Sequence, residues 1–354
     1  MTALCRSCPD RNKLAAVFIL LLSSILTAFS LREVPFKPEE RLSAYGFFLG
    51  PLANLQPAEN VFSYEVNAPL FSDYAEKARF VALPQGKRMR FRLGEPFDLP
   101  EGSVIIKNFF YYHDFRRPEE GRRLVETRLL VREADTWKAL TYVWNAEQTD
   151  AFLEVAGAEI PLTWIDNTGK RQRLSYQVPN LNQCKGCHAT KGQLVPIGLT
   201  AEQTHRKVSG ASQLERWMTE GLLEGVTAAE LAAVTPLADY DDPTSSLESR
   251  ARAYLHANCA HCHHPHGSAN TSGLFLEITQ TDPLRLGVLK PPVAAGRGSG
   301  NRKYSITPGK PSESILLYRM EQNDPGIRMP ELGRQLAHRE GIELIRQWIL
   351  QMAS

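Results

Sequence analysis

The chain between residues 79 and 178 contains short runs in which aromatic and β-branched side chains alternate with polar ones. This alternation is typical of half-buried β-strands, and the regular spacing of the runs favours an antiparallel, sandwich-like arrangement. Residues 133–136 and 166–169 are rich in Asp, Asn, Thr and Gly and are predicted to be hairpin turns. The predicted strands are residues 79–83, 88–93, 103–112, 124–132, 137–144, 162–165 and 172–177.

The pattern changes after Pro179, where apolar residues recur at helical spacing. Helices are predicted over 212–223, from a capping box formed by Thr227 and Glu230, from Ser245 into Cys259, and over 338–351. The Gly- and Pro-rich residues 290–311 are predicted to be a long loop. The predicted fold class is therefore α+β and multidomain. An antiparallel β-sandwich-like domain (31–177) precedes two mainly α regions, 178–243 and 244–354.

Residues 14–31 form an uncharged, mostly apolar run that follows three basic residues. This layout is typical of a secretory signal, and residues 28–30 (Ala-Phe-Ser) offer a small-x-small cleavage site. An uncut run of this length also suffices to span a bilayer. We therefore expect residues 1–30 to be a signal peptide or an N-terminal anchor. In either case the protein is exported to the periplasm, as a soluble protein or held at the inner membrane.

The composition of the 354-residue chain narrows the functional classes. With 43% hydrophobic and 23% charged residues, it is neither a disordered nor a multi-span membrane protein. The formal net charge of +2 is far from the strongly basic balance of a nucleic-acid-binding protein. We therefore expect no nucleic-acid partner.

Four cysteines lie beyond residue 30, and all of them belong to two Cys-x-x-Cys-His motifs. This motif is the attachment signature of c-type haem, because its two thiols form thioethers to the vinyl groups and the histidine binds the iron. A zinc ribbon would place its cysteine pairs much closer together, and a thioredoxin-like pair would sit in a βαβ pattern. The sequence thus predicts two covalently bound haem c groups, attached through Cys184, Cys187, His188, Cys259, Cys262 and His263.

The second motif has the better specified surroundings. A helix that leads into the motif, a long loop and a closing apolar helix resemble the c-type cytochrome fold. That fold has a methionine in the loop before its last helix as the second axial ligand, which implies this role for Met329, followed here by Pro330. Met320 ends a helical run and is expected to pack in the core.

The first motif has no clear second ligand in the sequence. Because residues 178–183 cannot form a long helix, the site departs from the usual layout, and the haem is expected to pack partly against the β domain. His205 and Met218 are the candidate distal iron ligands. A vacant distal face, which an enzyme would need, is the alternative. The histidines around the second motif (His256, His261, His264 and His266) are explained by crowding near a haem, with an additional metal site as the other interpretation.

A wider resemblance spans residues 60–350. The sequence features that carry it are residues 68–73 (APLFSD), 126–130 (ETRLL), 142–145 (YVWN) and 178–180 (VPN), ahead of the first haem motif. In this combination the chain resembles a family of exported bacterial dihaem c-type cytochromes with an N-terminal β-rich region. The resemblance implies haem c and electron transfer but names no substrate.

Three functions follow from these features. The leading one is a periplasmic dihaem cytochrome that transfers electrons between redox protein partners. The second is a dihaem peroxidase- or oxidase-type enzyme in which the first haem is open. The third is the electron-accepting subunit of a dehydrogenase, with the β domain as its docking surface.

Overall fold

The computed structural model describes residues 37–353, so the predicted signal or anchor segment and Cys5 and Cys8 lie outside the described residues. The central element is a six-stranded antiparallel sheet in which each strand pairs with the next along the chain. Its strands are β1 (Val61–Tyr64), β2 (Glu76–Ala82), β3 (Val104–Tyr112), β4 (Arg122–Glu133), β5 (Thr136–Trp144) and β6 (Ala151–Leu153).

A separate antiparallel hairpin follows, formed by β7 (Ala158–Ile165) and β8 (Arg171–Val178). Its inward residues, such as Trp164 and Tyr176, pack on Phe109 and Tyr111 of β3. The hairpin thus covers part of one face of the sheet as a partial second layer. The predicted antiparallel β-rich region and both predicted hairpin turns are confirmed.

Four two-stranded ladders join strands of two residues each. The predicted strand 88–93 is reduced to one of them, and it pairs in parallel with a segment beyond the β region. The ladders are Phe48–Leu49 with Gln56–Pro57, Met89–Arg90 with Leu223–Glu224, Ala189–Thr190 with Gln193–Leu194, and Lys207–Val208 with Ala211–Ser212.

The region 178–243 is not the mainly α region that the sequence predicted. Its helices are short: α1 (Leu181–His188), α2 (Ala201–Thr204), α3 (Gln213–Thr219) and α4 (Ala228–Ala232). Glycines with positive φ interrupt the chain between them, and a left-handed residue cannot continue a right-handed helix. The capping box of Thr227 and Glu230 is present as predicted.

The region 244–354 contains α5 (Leu247–Leu255), α6 (Ile315–Glu321) and α7 (Arg339–Gln351). It is also not mainly α, because the chain between α5 and α6 is loop with short helical turns. The cap of α5 is Ser246 rather than Ser245, and α5 ends in a π-helical turn, His256–Ala260, that carries Cys259. Helices α5 and α7 pack together, and Gly341 of α7 lies against the ring of Tyr254.

Residues Pro38–Ser354 form one compact unit, and the predicted boundaries after 177 and 243 fall within it. The segment 65–75, between β1 and β2, connects the sheet to the later regions. Ala68 belongs to the hydrophobic core around α5 and α7, and the carboxylate of Asp73 accepts hydrogen bonds of 2.7 Å from the backbone N–H groups of Gln335 and Leu336. The sheet and both motif regions are therefore packed as one structure.

Candidate functional site

A cavity of about 770 Å³ lies between the sheet and the two motif regions. The lining includes strands β2 to β5, the segment 65–75, the first motif on α1 with residues that follow it, the second motif after α5, and the loop that precedes α7. This volume is within the range of cavities that enclose a ligand of several hundred daltons. The cavity brings together chemical groups that are far apart in the sequence.

Helix α1 presents the first motif to this cavity. A capping box, in which the side chains of Asn180 and Gln183 bond each other's backbone N–H, starts the helix just before Cys184. Cys184, Cys187 and His188 all line the cavity. The Nδ1 of His188 donates to the carbonyl of Val195 at 2.8 Å, and burial lowers the pKa of His188 to about 4. The imidazole is thus neutral and oriented, and its Nε2 is left as the metal-binding atom.

The second motif starts in the π-helical turn after α5. Cys259 lines the cavity, and burial raises the pKa of its thiol to about 12. The Nδ1 of His263 lies 3.3 Å from the carbonyl of Leu274 and 3.4 Å from the hydroxyl of Ser272. His263 is oriented in the same way as His188, although it does not itself line the cavity.

The two motifs meet. The ligand atoms of Cys187, His261 and Cys262 lie within 4.8 Å of one another. The hydroxyl of Ser268 donates to the carbonyl of Gly186 at 3.0 Å, which joins the loop after the second motif to the first. A hydrogen bond between the two thiols raises the pKa of Cys187 and lowers that of Cys262. All four motif thiols are free, without a disulfide.

Met329 lines the same cavity. The side chain of Arg334 holds its loop through hydrogen bonds to backbone carbonyls. Arg334 is 4% exposed, and its guanidinium donates two hydrogen bonds, of 3.1 and 2.7 Å, to the carbonyl of Met329. It also donates to the carbonyls of Arg319, Met320, Gln322 and Leu336. Met320 is buried in the core around α5 and α7, as predicted, and reaches the cavity wall.

His205 and Met218 are not among the residues that line the cavity. The Nδ1 of His205 donates to the carbonyl of Val234 at 3.0 Å, and Met218 packs on the hydrophobic cluster that contains Trp217. Other histidines line the cavity instead. His256 accepts a hydrogen bond from the N–H of Ile278 at 3.2 Å, and His338 stacks on Phe71 at 4.1 Å.

The basic residues of the cavity wall were not predicted from the sequence. Arg79, Lys107 and Arg128 line the cavity from three neighbouring strands. The available signal was a cation within a mostly apolar strand, as for Lys107 in Val104–Tyr112. A charged residue at an inward position of such a strand needs a partner, because burial without one is costly.

Comparison of the chain with family models, with curated proteins and with solved structures gave no match. Among residues 37–353, the helices are all too short or too polar to cross a lipid bilayer.

Proposed function

We propose that the protein is an exported dihaem c-type cytochrome that transfers electrons between redox protein partners. The observation that carries this proposal is that thiols of both Cys-x-x-Cys-His motifs line one cavity. The motif thiols are free to form thioethers, and each motif histidine is oriented through its Nδ1 so that Nε2 can bind iron.

The chemistry of the two motifs fits haem c. Cys184, Cys187 and His188, which all line the cavity, would hold one group, and Cys259, Cys262 and His263, of which Cys259 lines the cavity, would hold the other. When bound, haem c supplies an iron that exchanges a single electron without a change in covalent structure. The chain fixes the two attachment sites next to each other, because Cys187 and Cys262 are in contact. This adjacency favours electron transfer between the two sites.

Met329 would supply a thioether to the iron of the second haem. Its carbonyl accepts two hydrogen bonds from Arg334, and a thioether ligand favours reduced iron and raises the potential. The resemblance to the c-type cytochrome fold supports the same role. Localisation in the periplasm and anchoring through residues 14–31 remain predictions from the sequence.

The direct test is a haem count. Protein from a host that matures c-type cytochromes should give two haems per chain in a pyridine haemochrome assay and a matching intact mass. Replacing Cys184 and Cys187 by serine should leave one haem, whereas replacing Cys5 and Cys8 should leave two. Colourless protein with four free thiols would refute the proposal.

A second candidate is a haem enzyme. It is favoured by the placement of His205 and Met218 outside the cavity lining, which leaves the first haem without either of its candidate distal ligands. Carbon monoxide added to the reduced protein distinguishes the two functions. A spectral shift at one haem indicates an open iron and supports the enzyme, and an unchanged spectrum supports the electron carrier.

The cluster of Cys187, His261 and Cys262 is the observation that favours a metal centre instead. Two thiolates and an imidazole suit zinc, which takes four ligands in a structural site. This arrangement would leave Cys184 and Cys259 unused and would not need the oriented His188 and His263. Stoichiometric zinc in the purified protein, with all thiols unmodified, would support the metal centre.

A further inference from the structure

Three cations lie side by side on the face of the sheet that lines the cavity. In the strand register, Arg79 of β2 is directly opposite Lys107 of β3, and Lys107 is directly opposite Arg128 of β4. Directly paired residues of neighbouring strands point to the same face. The row Arg79–Lys107–Arg128 is named the cation row below.

Without a compensating group, the cation row would destabilise the folded sheet. Like charges directly opposite each other on adjacent strands destabilise a sheet, and burial adds to that cost. Burial, followed by the charge of Arg79, lowers the pKa of Lys107 well below its usual range, and burial also lowers the pKa of Arg79. A fold that keeps three such residues together needs a compensating group.

The chain supplies only part of that compensation. Arg128 forms an ion pair with Glu126, whose side chain is fully buried. The Nζ of Lys107 and the guanidinium carbon of Arg128 lie 5.1 and 4.4 Å from the ring centroid of Phe109, where cation–π attraction is modest. Within the part of the chain that the structure describes, Arg79 and Lys107 have no ion pair and no side-chain hydrogen bond. Glu65 and Glu76 act on Arg79 only through space.

The cation row lies beside the first motif. Helix α1 carries Cys184 and His188 into the same cavity wall as the row. Lys77, two residues before Arg79 on β2, is a further cation whose charge acts on Lys107, so Glu126 offsets only part of the positive charge at the row. A haem carries two propionate carboxylates, which match this excess in sign.

We propose that the cation row of Arg79, Lys107 and Arg128 is a carboxylate-binding site that receives the propionates of the first haem. This inference rests on the proposed function and assigns a role to the β domain within it. The guanidinium groups suit carboxylates because they donate parallel hydrogen bonds, and the ammonium between them adds a compact charge. In this role the row would help to position the haem, together with the thiols of Cys184 and Cys187.

The test uses the full chain, matured with haem, and the variants Lys107→Gln and Arg79→Gln. Haem content by pyridine haemochrome should stay at two per chain, because the thioethers do not depend on the row. The propionate bending bands in the resonance Raman spectrum should shift. The midpoint potential of one haem should fall, because a nearby positive charge favours reduced iron. Lys107→Arg keeps the charge and should resemble the wild type, and Arg171→Gln removes a charge from an exposed strand position and should change nothing.

Several outcomes are distinguishable. Two haems per chain with wild-type Raman bands and potentials in both row variants would overturn this inference and leave the proposed function intact. Absence of covalent haem in the wild type would overturn the proposed function itself. Titration with inorganic phosphate separates the two sources of anion. If phosphate binds the wild type but not Lys107→Gln while the propionate bands are unchanged, the row binds a soluble anion and the propionate assignment is wrong.

Discussion

Replacement of Gly341 by alanine tests the packing of the helix that delivers the second motif. A Cβ at this position would lie within 3 Å of the hydroxyl oxygen and two carbon atoms of the Tyr254 ring, which is itself buried. Overpacking of this kind costs about 1–3 kcal/mol. In a helix without such a contact, glycine to alanine would stabilise by about 0.5–1 kcal/mol. Because the overlap involves three atoms of a fixed ring, we expect a net loss of about 1–2 kcal/mol.

A second variant, Tyr254→Leu, removes the ring atoms that the alanine methyl group at position 341 would overlap, so the two replacements form a double-mutant cycle. In that background, Gly341→Ala is expected to be neutral or to stabilise by up to about 1 kcal/mol, so the effect changes sign. The resulting coupling energy is about 2 kcal/mol, within the range for residues in direct contact. Urea unfolding followed by circular dichroism measures all four proteins, and Gln347→Ala on the exposed side of α7 serves as the control. If Gly341→Ala stabilises the otherwise unchanged protein, the close approach of α5 and α7 is refuted.

Three further predictions concern buried polar groups. Thr127→Val should lower the free energy of unfolding, measured in urea, by about 2–5 kcal/mol, because the hydroxyl bonds Asn108 at 2.6 Å and Trp144 at 2.9 Å and each partner would be left unsatisfied. Thr281→Val, at an exposed position, should leave this free energy unchanged, and equal stability of the two variants would contradict the role of these hydrogen bonds. Asp73→Asn should melt near the wild-type temperature, because asparagine keeps the acceptor for Gln335 and Leu336 and tolerates the positive φ of 52°. Asp73→Ala should melt well below that temperature, and similar melting of both variants would argue against the role of Asp73 as the acceptor. Arg334→Gln should accelerate amide hydrogen exchange across residues 329–336, measured by mass spectrometry, because the side chain no longer bonds the loop backbone. Arg339→Gln, at an exposed position, should leave this exchange unchanged, and unaltered exchange in Arg334→Gln would show that Arg334 does not hold the loop.

The features that the sequence predicted well depend on neighbouring residues. The turn at 166–169 forms because the Asp166 carboxylate accepts from the N–H groups of Thr168 and Lys170, which is a local interaction. The capping box of Thr227 is equally local. The hairpin strands alternate in burial as their sequence does. In each case the decisive atoms lie within a few residues of each other.

The features that the sequence did not predict depend on register and on contacts between distant segments. Arg79, Lys107 and Arg128 lie on three different strands, and only the pairing of these strands makes them a row. The contact between Cys187 and Cys262 likewise needs the tertiary fold. The expectation of two mainly α regions failed for a different reason. It relied on apolar residues at helical spacing and on capping signals, while the glycines with positive φ in residues 178–243 limit helix length.

The sequence features that carry the family resemblance have physical roles in this structure. In residues 68–73, the backbone N–H of Phe71 donates to the side chain of Asn258 at 2.8 Å, and the carbonyl of Pro69 accepts from Tyr240 at 2.9 Å. This segment therefore attaches the sheet to the second motif region. Residues 126–130 and 142–145 provide Glu126 to the cation row and Trp144 to the buried network behind it.

These contacts mean that the β domain and the motif regions depend on each other. The sheet forms a wall of the cavity and contributes its cations, and the segment 65–75 and the loop before α7 hold the two sides together through Asp73. A fragment that contained only the motif regions would expose the core residues that Ala68 covers and would lose the cation row. The β domain is thus part of the site itself, because its strands supply both a wall of the cavity and the cations of the row.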